Sequence, residues 1–252
     1  MAAATGPAGK LYGIGGGFFS EGGSFEPFAS LKAYSPSTRT WGVKAAIPTA
    51  RGASSAVAGP DGLIYALGGW TSDPCDGFPV SLKTVEAYNP TSNTWATVPS
   101  MRTPRAAFGA VVTGDVLYAM GGEDDGPSTP VGGGCEGGAV SVLSSVEAYS
   151  FSTHSWKTVA PLPQATRVEG AVVGADGRIY AIGDGASRPV LFIYDVWANA
   201  WTIGPTPPLA KPTRFGSSWG PVVAFGPSNS VLLIENAVGN GNLSASAYSL
   251  PT

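Results

Sequence analysis

The sequence predicts an all-β protein built from repeated antiparallel sheets, and three observations lead to this prediction. Short apolar runs that end in glycine recur as KLYGIGG, LIYALGG, VLYAMGG and RIYAIGD. A Tyr followed by Trp seven positions later recurs between these runs, and an Arg recurs after each Trp. Gly or Pro interrupts the chain too often for an apolar period of 3.6 residues, which argues against helices.

The first marker fixes the length of the repeat. Its Tyr residues are 53, 53 and 62 positions apart, at Tyr12, Tyr65, Tyr118 and Tyr180. The second marker consists of the pairs Tyr34/Trp41, Tyr88/Trp95, Tyr149/Trp156 and Tyr194/Trp201. The third marker is Arg51, Arg105, Arg167 and Arg214. Three markers in a fixed order with a period near fifty indicate one supersecondary unit per repeat.

Composition excludes several classes of protein. The 252 residues include 14 Lys and Arg against 17 Asp and Glu, a net charge of −3, which argues against a nucleic-acid partner. The 36 Gly and 22 Pro are compatible with a folded chain, because 10% of the residues are aromatic. Since no apolar stretch is long enough to span a bilayer, we expect a soluble protein with no membrane contact. The N-terminal MAAATGPAGK lacks the features of an export signal, so the default expectation is a cytoplasmic protein.

Each repeat fits a four-stranded antiparallel sheet, and packing such sheets face to face around an axis gives a β-propeller. The Gly-Gly pair, the Tyr-x6-Trp spacing and the following Arg resemble kelch repeats over roughly residues 1–203. The resemblance implies strand b at 63–69, strand c at 82–88, strand d near 94–98 and strand a near 105–113. In the fifth repeat VLLIENA replaces the Tyr and Gly-Gly, so the match there is weaker.

We therefore predict a single domain over 1–252, a five-bladed kelch-type propeller whose last blade is incomplete. The blades are expected at 1–45, 53–98, 107–159, 168–203 and 217–250. Strands at 217–225, 230–235 and 244–250 fill the last blade, and no strand d follows, so its open edge is a candidate for self-association. A larger propeller, truncated or split, is the alternative.

The b–c and d–a connections of an antiparallel blade lie at the same end, and this end is the predicted functional face. The b–c connections are long at Gly17–Ala29, Trp70–Ser81 and Glu123–Ser141, and long loops in a compact domain are usually functional or disordered. The recurring Arg residues belong to the same end.

The resemblance to kelch adaptor domains implies that Arg51, Arg105, Arg167 and Arg214 line the axial mouth. There they would receive an acidic protein segment or an anionic small molecule, because guanidinium groups bind carboxylate and phosphate in bidentate fashion. The alternative is structural: each Arg pairs with a carboxylate or with neighbouring carbonyls and staples the blades together.

Glu169 follows Arg167 by two residues, so strand alternation predicts that both side chains leave the same face. The pair is either a neutralised ion pair or a catalytic pair of a metal-free isomerase, epimerase or cyclase, with Arg167 holding an anion and Glu169 moving a proton.

The long loops carry further candidates. Phe18, Phe19, Trp70 and Phe78 are expected either to form apolar walls of a binding site or to cover the blade tops. Glu123 and Asp124 belong to an acidic run that we interpret as a solvated rim.

Cys75 and Cys135 lie in loops of adjacent predicted blades, and either a disulfide or two thiols fits. A disulfide would favour a secreted protein.

Metal and cofactor chemistry finds little support. The one histidine, His154, is expected in a c–d turn, away from the mouth. It cannot reproduce the several histidines that hold copper in the kelch enzyme galactose oxidase. We therefore expect no cofactor and no metal. The leading hypothesis is a binding module, and the metal-free enzyme is the alternative.

Overall fold

The structure is a computed structural model that describes residues 1–185 and 188–206 in full and, beyond these, the strands at 222–226, 230–236 and 243–249. The regular secondary structure of the described part is β-strand, apart from one short 3₁₀ turn at Pro7–Gly9. It contains four four-stranded antiparallel sheets, which are the blades of a propeller, and one three-stranded sheet.

The strands of each blade follow one another outward from the centre. Blade one contains β1 (Ala2–Thr5), β2 (Leu11–Ile14), β5 (Leu31–Ser35) and β6 (Thr40–Val43). Blade two contains β7 (Ser55–Ala58), β8 (Ile64–Leu67), β11 (Val85–Asn89) and β12 (Thr94–Val98). Blade three contains β13 (Gly109–Thr113), β14 (Val116–Met120), β19 (Val146–Ser150) and β20 (Ser155–Val159). Blade four contains β21 (Val168–Val173), β22 (Ile179–Gly183), β23 (Val190–Asp195) and β24 (Ala200–Ile203).

The Tyr-x6-Trp spacing reflects the register of the c–d hairpin, in which the Tyr and the Trp face each other. Tyr149 and Trp156 lie directly opposite each other on strands c and d of blade three, with ring centroids 5.2 Å apart. The other three blades make the same pair, with centroid distances between 4.8 and 5.3 Å. Each hairpin turn contains one residue with a left-handed backbone, at Arg39, Asn93, His154 and Asn199. His154 is therefore a turn residue, at the end of the blade opposite the b–c loops.

The hydrophobic core is divided into layers between neighbouring blades. One layer joins Tyr12 and Ile14 of blade one to Ile64 and Tyr88 of blade two. Equivalent layers lie between blades two and three and between blades three and four. Because each blade is covered on both faces only by its neighbours, face packing provides the burial that a single sheet lacks.

The four inner strands surround a central channel, which is lined by small and β-branched residues of β1, β7, β13 and β21. At one end of this channel the long b–c connections form hairpins of their own. They are β3 (Gly17–Phe19) with β4 (Phe25–Pro27), β9 (Trp70–Ser72) with β10 (Pro79–Ser81), β15 (Glu123–Asp125) with β18 (Val140–Val142), and β16 (Thr129–Val131) with β17 (Gly134–Glu136). We call these hairpins the loop layer.

The predicted ring of five blades is corrected to four complete blades. The sheet formed by β25 (Val222–Gly226), β26 (Ser230–Asn236) and β27 (Leu243–Ser249) has the three strands expected, and β25 packs beside β21. A fifth blade that closed the ring would cover the free face of blade one. On that face Leu11 is 43% exposed, whereas its equivalents Ile64, Leu117 and Ile179 are fully buried. Self-association through the edge at β27 stays a prediction.

Blade one also leaves its outer Trp uncovered. In blades two to four the indole N–H donates to a carbonyl of the preceding blade, as from Trp156 to Pro99 O at 2.7 Å. The same bond joins Trp95 to Ala45 O and Trp201 to Ala160 O. Within the described residues the Trp41 indole makes no such bond, and Trp41 is 59% exposed, against 7% for Trp156.

This difference predicts unequal effects of two matched substitutions. Trp156→Ala is expected to lower the free energy of unfolding by about 3–5 kcal/mol, because it leaves a cavity between blades two and three. Trp41→Ala should cost less than about 1 kcal/mol, since most of that ring already faces water. Urea denaturation of both variants checks the prediction, and equal losses would mean that the face of blade one is covered like the others.

Candidate functional site

A cavity of about 340 Å³ opens where the loop layer meets the central channel, and we call it the mouth cavity. The starts of the inner strands form its floor, including Ala53, Ala107 and Glu169. Backbone hydrogen bonds tie this floor together, from Ala107 N to Ala53 O at 2.9 Å and from Val168 N to Ala107 O at 3.2 Å. Phe19, Phe25 and Trp70 form one wall.

Arg51 and Arg105 do not line this cavity, and both are fully buried inside blades. Arg51 donates to Glu86 Oε2 at 2.5 Å and to the carbonyls of Gly68 and Thr84 in blade two. Arg105 donates to Glu147 Oε1 at 2.8 Å and to the carbonyls of Gly121 and Ser145 in blade three. Burial lowers the pKa of both guanidinium groups, and the paired glutamates oppose that effect. These two arginines therefore hold the blades together, as in the structural alternative. The expectation that Arg51 and Arg105 line the axial mouth is wrong.

The Gly-Gly marker belongs to the same joint. Gly16 N donates to Arg51 O at 2.8 Å, and Gly69 N donates to Arg105 O at 2.9 Å, so the backbone of each arginine is bound to the preceding blade. A Cβ on Gly15 or Gly68 would lie within 2.4 Å of the same carbonyl oxygens. Both glycines also have a left-handed backbone, so no other residue type fits there without strain.

Arg167 takes a different position because blade four lacks the glutamate. The residue two before the strand-c Tyr is Glu86 in blade two and Glu147 in blade three, but Phe192 in blade four. Phe192 is fully buried, and the Arg167 guanidinium is instead partly exposed and pairs with Glu123 of blade three. It also lies 4.0 Å from Asp184 Oδ2. Arg214 lies outside the described residues.

Glu169 is separated from Arg167 by a β-bulge. The pairing of β21 with β22 shifts register between Val168 and Gly170, so Glu169 is the extra residue. Glu169 lines the mouth cavity, whereas Arg167 lines a different hollow beside Asp184 and Thr166. The bulge interrupts the regular alternation on which the expectation of one shared face was based, and that expectation stays a prediction.

The carboxyl of Glu169 is half-buried and, within the described residues, makes no hydrogen bond or ion pair. Desolvation raises its pKa to about 7, and the negative charges of Asp184 and Glu123 add to this effect. The positive charge of Arg167 opposes it only in part. Among the residues that the structure describes, ionised Glu169 therefore lacks the partner that a half-buried charge normally has.

The acidic run next to the cavity is structural rather than a solvated rim. Glu123 is buried under Arg167, and burial raises its pKa. Asp124 is half-buried, and its pKa is also raised by desolvation. Asp125 accepts hydrogen bonds from the indole of Trp70 at 2.6 Å and from Ser81 Oγ at 3.0 Å, which binds the loops of blades two and three together.

A disulfide between Cys75 and Cys135, with Cα atoms 5.9 Å apart, crosses the same two loops. Next to it Ser128 donates to Asp73 through its backbone N–H at 2.9 Å and to Asp76 through its hydroxyl at 2.5 Å. The loop of blade one joins this assembly through a bond of 2.8 Å from Phe25 N to Gly77 O. The loop layer is therefore one connected surface.

The predicted loop aromatics separate into two groups. Trp70 and Phe19 line the mouth cavity and pack with Phe25, at ring distances between 5.2 and 6.5 Å. Phe18 and Phe78 are not part of its lining and are each about half exposed, at 52% and 51%.

Comparisons with known proteins agree with this architecture. The family model of the Kelch motif matches residues 51–102 and 104–163. Kelch-like protein 36 of Mus musculus is 30% identical over 189 residues, which are 72% of this chain and 28% of that protein. Kelch-like protein 40 of Xenopus laevis is 29% identical over 175 residues, 69% of this chain and 25% of that protein. Alpha-scruin of Limulus polyphemus is 31% identical over 166 residues, 62% of this chain and 16% of that protein.

The chain belongs to the kelch-repeat β-propeller family. It spans less than a third of the length of these relatives. Each matched kelch motif contains an Arg, a Gly-Gly pair and a Glu, whereas the Gly15–Gly16 pair that binds Arg51 precedes the first matched motif. Sequence reasoning missed Glu86 and Glu147, although the V-E-A-Y that occurs in both blade two and blade three was a signal for them.

Two further observations concern the described part of the kelch domain. It contains no group of three His, Cys, Asp or Glu side chains placed to hold a metal ion. It also contains no helix long and apolar enough to cross a bilayer.

Glu169 is expected to titrate near pH 7 in the folded protein. Because the folded state keeps this proton to a higher pH than the unfolded state, the free energy of unfolding should fall between about pH 4.5 and 7 and level off above. Glu169→Gln removes this loss and should be more stable than the wild type by roughly 2 kcal/mol at pH 8, with no such gain at pH 4. Carboxyl ¹³C NMR and urea denaturation measure both effects, with the exposed Glu26→Gln as control. A midpoint near 4.5 for Glu169 would contradict the burial argument.

Proposed function

We propose that this kelch propeller is a protein-binding module and that its partner docks on the loop layer. The observation that carries this proposal is a group of exposed aromatic side chains on an otherwise braced surface. Phe18, Phe19 and Phe78 are each more than half exposed in the hairpins of blades one and two. Exposed aromatic residues supply much of the binding energy at protein interfaces.

The bracing supports the proposal because a rigid surface loses little entropy when it binds. The Cys75–Cys135 disulfide, the Trp70–Asp125 bond and the β-pairing within each hairpin hold the loops in place before any partner arrives. A persistent disulfide is typical of proteins in oxidising compartments, so we extend the proposal to such an environment.

The state of the arginines does not favour the acidic or anionic ligand expected from the sequence. Arg51 and Arg105 are buried and neutralised by Glu86 and Glu147, and Arg167 already pairs with Glu123. The metal-free enzyme is not favoured either. It requires Arg167 and Glu169 to contact one substrate, whereas the two residues line different hollows.

Co-purification with the oxidised protein, followed by affinity measurement on each partner found, tests this proposal. Phe18→Ser combined with Phe78→Ser should weaken binding by at least 10-fold, since it removes two apolar contacts worth more than about 1 kcal/mol each. The matched control is Trp197→Ser, because Trp197 is 96% exposed in a c–d turn at the opposite end. If the partners lose affinity for Trp197→Ser but not for the Phe18 and Phe78 double variant, the interface lies elsewhere and the proposal is refuted.

A further inference from the structure

The side chains that line the mouth cavity carry one sign of charge. In the part of the chain that the structure describes, Glu169 is the single ionisable side chain of this lining. The charged groups that act on it are Asp184, Glu123 and Arg167, which are two acids and one base. Met1 also belongs to the lining, and burial lowers the pKa of its amino group. A negatively charged ligand would therefore be repelled by the Glu169 side of the cavity, and a positively charged ligand would be attracted.

The wall beside Glu169 suits the same kind of ligand. Phe19, Phe25 and Trp70 form a cluster in which the centroids of Phe25 and Trp70 are 5.9 Å apart, with the rings edge to face. The hydrogen bond from the indole to Asp125 holds Trp70 in this position. Aromatic faces attract ammonium and guanidinium groups, and this attraction is stronger where water is excluded.

The backbone supports a site at this position. In blades two and three the equivalent of Glu169 is Ala53 or Ala107, and each has a left-handed backbone. Blade four has instead a bulge at Glu169, and this residue lines the cavity. Bulges commonly redirect a side chain next to functional sites. A half-buried carboxyl without a partner costs stability, and an incoming cation would offset that cost.

We propose that the mouth cavity receives a basic side chain, Lys or Arg, of the protein that docks on the loop layer. Its charged group pairs with Glu169, and its apolar stem lies against Phe19 and Trp70. This inference rests on the proposed function, because the basic residue is part of the docked partner.

The test uses four fluorescein-labelled heptapeptides that are identical except for a central Lys, Arg, norleucine or Glu. Fluorescence anisotropy with the oxidised protein should give at least 5-fold tighter binding for the Lys and Arg peptides than for the norleucine peptide. The Glu peptide should bind most weakly. Tighter binding of the Glu peptide, equal binding of all four peptides, or no binding at millimolar concentration would overturn the proposal.

Matched variants locate the binding. Glu169→Gln should weaken the Lys peptide by about 10-fold or more, because a hydrogen bond to a charged group is lost. The norleucine peptide should be unaffected, and Glu26→Gln on the same face should leave both peptides unchanged. Phe19→Ala should weaken the Lys peptide by about 3-fold, as expected for an exposed cation–π contact, whereas Trp197→Ala at the opposite end of the propeller should not. If Glu169→Gln leaves the Lys peptide unaffected, the basic residue does not bind here.

The two proposals fail separately. If a partner protein loses affinity with the Phe18 and Phe78 variant but not with Glu169→Gln, docking on the loop layer stands and the basic side chain is refuted. If the affinity of the partner is unchanged by the Phe18 and Phe78 double variant, the proposed function fails.

Discussion

Each complete joint between blades depends on one arginine that serves two blades. The carbonyl of Arg105 accepts a hydrogen bond from Gly69 of blade two, while its guanidinium pairs with Glu147 inside blade three. Arg51 joins blades one and two in the same way. The charge is removed from water, so the joint is stable only when the carboxylate and the carbonyls are all in place. The position of each arginine side chain therefore depends on the glutamate of its own blade.

Blade four lacks one member of this set, and its geometry differs as a result. Phe192 occupies the place of the glutamate, Arg167 turns outward to Glu123, and Glu169 lies on a bulge at the mouth. The departures from the repeat thus collect on one side of the mouth cavity. Blades two and three provide the scaffold, and blade four together with the loop layer provides the chemistry of the site.

Much of the fold could be predicted from the sequence, because local patterns determine it. The Tyr-x6-Trp spacing is the register of a hairpin, and the Gly-Gly pairs occupy positions that no other residue fits. The site was predicted less well, since it depends on contacts between distant residues. Burial of Arg51 against Glu86 cannot be told from exposure by spacing alone. The bulge at Glu169 breaks the period of two on which the side-chain directions were predicted, and the exposed Leu11 depends on what packs against blade one.

Chemical labelling of the arginines tests this account most directly. The folded protein is treated with phenylglyoxal, which modifies accessible guanidinium groups, and each site is quantified by mass spectrometry. Arg178, which is 51% exposed, serves as the internal reference. The account predicts that Arg178 reacts, that Arg167 reacts more slowly, and that Arg51 and Arg105 react only when the protein is unfolded. Modification of Arg51 and Arg105 in the folded protein at the rate of Arg178 would contradict it, because both would then be open to a ligand at the mouth.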